Sequence, residues 1–163
     1  MATQIDETLE KWLVDARKVV LAGVGNPIRS DDFVGTKIVQ ALEGKVSSNV
    51  RLIECETVPE SHLFDIEQFA PSHVLIIDAA ILGLEPGEAK LLQPEQVAGF
   101  SAISSHMLPL RVFSDYLRES TSAKIALLLI EPKNVEFGED LSVELETASK
   151  HLAGLLQSLL SKI

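Results

Sequence analysis

The sequence predicts an α/β protein, a three-layer α/β/α sandwich with a mostly parallel central sheet. Short apolar runs such as Val19–Ala22, Val74–Ile77 and Ile125–Ile130 have the pattern of strands covered on both faces. Stretches with helical spacing separate them. Turn residues, including Gly25-Asn26-Pro27 and Pro86-Gly87, mark the changes of period. Strands that alternate with helices form βαβ units, whose crossovers place helices on both sides of a parallel sheet.

Leu9, Trp12, Leu13 and Ala16 predict a first helix over about 6–17, with Asp6 as its N-cap. Val19–Gly23 is the first strand, and Val34, Ile38, Ala41 and Leu42 form the helix after it, stopped near Gly44. Val50–Ile53 is a strand, Ser61–Phe69 a helix, and Val74–Ile77 a buried strand followed by Asp78. Ala89–Leu92 is a short strand closed by Pro94. Leu110, Phe113 and Leu117 predict a helix to about 118 and Ile125–Ile130 a further strand. Leu145 through Leu159 predict a final amphipathic helix capped by Ser142.

The 163 residues suit a single domain over 1–163, with 1–17 as an additional N-terminal helix. Fourteen Lys and Arg against 24 Asp and Glu give a net charge of −10, the wrong sign for neutralising phosphates, so no nucleic-acid partner is expected. The apolar runs fall short of the ~20 residues that span a bilayer, so no membrane partner is expected either. Asp6, Glu7, Glu10 and Asp15 make residues 1–17 unlike a signal peptide, which points to the cytoplasm. The lone Cys55 allows neither an internal disulfide nor a cysteine-rich metal cage.

In open α/β sheets ligands bind beyond the carboxyl ends of the strands. Asp31 and Asp32 follow the first strand, Asp78 the central one, and Ser104-Ser105-His106 the fourth. Two carboxylates and an imidazole that converge there form an O/O/N set suited to a divalent transition metal, with positions left for water or substrate. One of the paired acids also suits a cap at the helix start. His62, His73 and His151 sit in or beside amphipathic segments and read as surface or packing residues. Cys55 at a strand end reads as a small buried hydrophobe rather than a reactive thiol. Ile28 stands where a dinucleotide fingerprint needs glycine, and no phosphate loop or nucleophile elbow occurs.

Four stretches together resemble the nickel-iron hydrogenase maturation endopeptidases, most closely the hydrogenase-3 type. They are Gly23-Val24-Gly25-Asn26 with Asp31-Asp32, Thr57-Val58-Pro59-Glu60, Leu75 to Ala79 continuing to Gly83–Glu88, and Ser105-His106-Met107-Leu108-Pro109-Leu110. Glu131-Pro132 with Val135-Glu136-Phe137 extends the match to the end of the chain. The resemblance implies an endopeptidase that removes the C-terminal extension of a hydrogenase large-subunit precursor after nickel insertion, through a transient protein complex. It assigns metal binding to Asp32, Asp78 and His106, and implies a divalent metal, nickel presented by the substrate.

The chain departs from the family at two places. Cys55-Glu56 replaces a usual glycine pair ahead of Thr57, which bears on substrate binding by Cys55, Glu56 and Thr57, and Phe33 replaces a glycine after the acid pair. Two mechanisms fit the residues. In one, an intrinsic metal ion activates water while Asp31 or Glu56 serves as base; in the other, the ligands recognise nickel already held by the precursor. Two rival functions use the same features: a non-catalytic nickel-binding chaperone, and an esterase like the peptidyl-tRNA hydrolases, whose Thr-Arg-His-Asn run is missing here.

Overall fold

A computed structural model describes residues 3–97 and 107–163, without the side chains of 107 and 108. The strands are Val19–Val24 (β1), Val50–Glu56 (β2), His73–Ala79 (β3), Ala89–Leu92 (β4) and Lys124–Ile130 (β5). They form one sheet in the order β2-β1-β3-β5-β4. β1, β2, β3 and β5 run parallel, and β4 joins β5 antiparallel. The two strands with every residue buried, β1 and β3, lie inside the sheet. Edge strand β2 alternates buried and exposed positions, and its sequence of mixed polarity shows why.

The helices are Gln4–Trp12 (α1), Val34–Ala41 (α2), Leu63–Phe69 (α3), Met107–Ser120 (α4) and Val143–Leu160 (α5). Successive strand residues point to opposite faces, so each strand feeds two cores. Val19, Leu21, Leu75, Ile77, Leu128 and Ile130 pack with Leu9 of α1, Ile38 of α2 and Leu152 and Leu156 of α5. Val20, Ala22, Val74, Ile76, Leu127 and Leu129 pack with Ile66 of α3 and with Leu110, Phe113 and Leu117 of α4. These two layers and the sheet between them make the predicted α/β/α sandwich.

Three expectations change. α1 starts earlier and ends earlier than 6–17: Thr3 is the N-cap, and Asp6 closes a capping box with it from inside the helix. Beyond α1 the chain turns toward β1, with the amides of Arg17 and Lys18 donating to Ser72 Oγ at 2.9 and 3.2 Å. The helix expected from Ser61 begins as a 3-10 turn, Pro59–His62, before α3. β3 is longer than its apolar run, so Asp78 lies within the strand, in register with Leu129, rather than after it.

β4 runs against the other four strands. Ala89 pairs with Ile130 and Leu92 with Leu127, so β4 ends toward the amino edge of the sheet, opposite the edge where β1 and β3 end. Following the fourth strand therefore does not by itself bring a residue to the acidic edge. α4 ends at that same amino edge. Its last turn is tied by Arg118 to Glu95 at 2.9 Å, just after β4, and leads into β5 at Lys124. Fourteen helical residues span about 21 Å, the length of the sheet, so Met107 starts at the carboxyl edge.

Candidate functional site

The carboxyl edge is assembled by close backbone contacts. A Cβ placed on Gly35 would lie 2.1 Å from the Ile77 carbonyl oxygen, and one on Gly23 would lie 2.7 Å from the Gly35 carbonyl oxygen. Only glycine lets the first turn of α2 approach the ends of β1 and β3 this closely. The 3-10 turn Ser30–Phe33 leads into α2 and packs against β3. This brings the acid pair to the strand that carries Asp78.

Asp78 is fully buried, and its Oδ1 accepts from the Ala79 amide at 2.8 Å. Asp32 is 6% exposed, and its Oδ2 accepts from the Asn26 amide at 2.9 Å. The Asp32 backbone is pressed onto Gly25, where an added Cβ would meet the Asp32 carbonyl oxygen at 2.0 Å. Both carboxylates are thus held by backbone amides at the end of the sheet, in an interior that penalises a charge without partners.

Asp31 has other partners. Its Oδ2 accepts from the amides of Lys133 and Asn134, both at 2.9 Å, and from the Ser142 hydroxyl at 2.8 Å. Its Oδ1 accepts from the Ser142 amide at 2.7 Å. Three of these four donors share Oδ2 and one is on Oδ1. Asp31 clasps the segment after β5 to the turn that carries Asp32.

The Cys55–Thr57 segment is shaped by a bulge. Gly23 pairs with Glu54 but Val24 pairs with Glu56, so one residue is extra on β2. Cys55 points into the core beside Val24, Ile53 and Ile66 and is 1% exposed. Burial, followed by the negative charges of Glu60 and Asp78, pushes its thiol up to about 12. It packs as a small buried hydrophobe, whereas Glu56 and Thr57 are exposed. Glu56 has φ 51, and its carbonyl accepts from the Gly25 amide at 2.7 Å.

One residue without an assigned role joins the edge. Glu131 directly follows β5 and is 6% exposed, and its Oε1 accepts from the amides of Leu82 at 2.7 Å and Leu84 at 3.0 Å. It holds the segment that follows Asp78. Its signal is the one that singles out Asp78, an acid directly against a strand buried on both faces. Among the described residues no three His, Cys, Asp or Glu side chains form a metal-binding group. His106, with Ser104 and Ser105, lies outside the described residues.

The model of the hydrogenase maturation protease family HycI matches residues 36–158. The chain belongs to the hydrogenase maturation protease family. It is 30% identical over 118 residues to the hydrogenase 3 maturation protease of Escherichia coli K12, covering 72% of this chain and 75% of that one. The crystal structure of the nickel-iron hydrogenase maturation protease HycI from Thermococcus kodakarensis superposes with a TM-score of 0.87 at 30% identity, covering 94% of this chain and 99% of that one. A crystal structure of a hydrogenase 3 maturation protease gives 0.73 at 27% identity, with 84% and 87% covered. In this maturation protease the family match includes Asp78, Glu131 and position 106, while Asp31 and Asp32 stand just ahead of it. Among its described residues no helix is long and apolar enough to cross a membrane.

Proposed function

We propose that this maturation protease removes the C-terminal extension from the large-subunit precursor of a nickel-iron hydrogenase once nickel has been inserted. One observation carries the reading: Asp32 and Asp78 are two buried carboxylates brought to one end of the sheet, while their neighbour Asp31 accepts four hydrogen bonds from the 133–142 segment. Buried acids are stabilised by a cation. Oxygen donors from Asp32 and Asp78, with nitrogen from His106, suit a divalent transition metal. Nickel is the cargo of the precursor in this reading and marks which precursors are ready. In this reading Glu56, exposed on the bulge, accepts the proton of the attacking water, and Glu56 and Thr57 border the bound tail. The precursor docks transiently at this edge, in the cytoplasm.

The test mixes the protein with nickel-loaded and nickel-free precursor and reads intact mass. Shortening of the loaded form alone is expected, and it should be lost by on the order of a hundredfold or more in Asp78→Ala and His106→Ala. Equal cleavage of both forms would reject nickel recognition. Binding of the loaded precursor without any shortening would instead make the protein a chaperone.

A further inference from the structure

Next to the acidic edge lies a cleft of about 640 Å³ lined by Asn26, Arg29, Val135, Glu136 and Phe137. We propose that this cleft receives the C-terminal extension of the precursor, with Arg29 pairing the terminal carboxylate and Phe137 covering apolar side chains of the tail. The inference rests on the function proposed above and adds how the tail is recognised.

Arg29 is the first reason. Its Nε donates to the Val135 carbonyl at 3.1 Å, which fixes the guanidinium at the cleft. Among the described residues no carboxylate pairs with it, although the chain has 24 acids against 14 Lys and Arg and Glu136 lines the same cleft. The neighbouring cation, Lys133, is already paired with Glu144 at 2.6 Å. A held guanidinium with its terminal nitrogens unpaired suits bidentate capture of a carboxylate. Every C-terminal tail supplies one carboxylate whatever its sequence, the one at its end.

Phe137 is the second. It is 85% exposed, beside Ile28 at 49%, yet its loop is laced down. Ser30 N donates to Gly138 O at 2.9 Å, Gly138 N to Ile28 O at 2.9 Å, and Ser30 Oγ to Glu136 O at 3.0 Å. An aromatic ring displayed on a fixed loop loses little freedom when a partner covers it, which is how interface anchors behave. Position is the third reason: Asn26 lines the cleft and donates its amide to Asp32. A chain in the cleft is therefore continuous with the acid pair.

The test has two arms. In processing of nickel-loaded precursor, Arg29→Ala and Phe137→Ser should each raise KM about tenfold, with the loss falling on KM rather than kcat, and Arg29→Lys should recover only part of it. In the second arm, a fluorescent synthetic peptide of the precursor's last residues is titrated as free acid and as C-terminal amide. Wild type should prefer the acid, and Arg29→Ala should bind both alike. Unchanged KM in Arg29→Ala, or equal binding of acid and amide by wild type, would overturn the assignment. The peptide arm needs no turnover, so a protein that fails to cleave would sink the proposed activity while this arm still judged Arg29.

Discussion

Asp31 and Ser142 stand 111 residues apart, and Ser142 donates to both oxygens of the Asp31 carboxylate, through its amide at 2.7 Å and its hydroxyl at 2.8 Å. The same hydroxyl accepts from the Leu145 amide at 3.4 Å as the N-cap of α5. One serine thus joins the start of the last helix to the turn that carries Asp32. The carboxyl edge is held by the end of the chain as well as by the strands beneath it.

Asp31→Ala should therefore act on stability first. It would leave two loop amides and both groups of Ser142 without their acceptor in a part-buried place. A loss of about 3 kcal/mol is expected, read as a lowered urea midpoint with the slope unchanged. Asp31→Asn should lose less, because its amide keeps one accepting oxygen for the groups on Oδ2 and sets a donor only against the Ser142 amide. A change under about 1 kcal/mol in both variants would show that the clasp is not what holds the loop.

Glu56 leads to a gain. At φ 51 a residue with a Cβ sits in the left-handed region at a penalty of roughly 1–2 kcal/mol, which glycine escapes. The backbone of the bulge thus favours glycine at this position. Glu56→Gly should raise stability by about 1 kcal/mol in thermal unfolding, less the greater freedom of glycine in the unfolded chain. If Glu56 is the proton acceptor, the same variant should process precursor more slowly. A variant both less stable and fully active would contradict both roles.

The sandwich and the acids at its edge were legible because they rest on local signals. Two-sided strands such as Val74–Ile77 announce themselves, and an acid abutting one, as at Asp78, is conspicuous. The direction of β4 was not legible, because four residues with a turn before them suit either direction. The separate roles of Asp31 and Asp32 were hidden too: they depend on the 133–142 segment, more than a hundred residues away. Glu131 carried the same signal as Asp78, but the amides it serves, at Leu82 and Leu84, emerge only when β3 and β5 pair.

Cys55 gives a chemical check on the bulge. Its thiol is pushed up to about 12 by burial next to Glu60 and Asp78, so it stays protonated in the folded protein near neutral pH. Iodoacetamide at mildly alkaline pH should leave the native chain unmodified and label it only as it unfolds. The folded value lies above the 9.0 of an unperturbed thiol, so the thiol's contribution to stability is complete below that pH and is lost as pH rises from there toward 12. Rapid labelling of folded protein would place Cys55 at the surface, where it could touch substrate.

His73 sets the pH response at the opposite edge of the sheet. It is 1% exposed at the start of β3, with Nδ1 2.9 Å from Ser72 Oγ and the Trp12 ring edge-on at 4.9 Å between centroids. Its Nε2 lies 3.3 Å from Asp15 Oδ1 without the alignment of a hydrogen bond, and Asp15 is bound to Lys124 at 2.8 Å. Burial holds the imidazole below its ordinary value, the attraction of Asp15 opposes this, and the positive Lys124 adds to the lowering. The folded protein therefore resists a proton that the unfolded chain accepts near pH 6.5. That contribution to stability is present above this pH and declines as the pH falls through it toward the lowered folded value. Urea unfolding from about pH 8 down to about pH 5 should show wild type losing stability faster than His73→Gln, which cannot titrate. Parallel losses in the two proteins would mean that His73 is not the buried neutral imidazole its surroundings require.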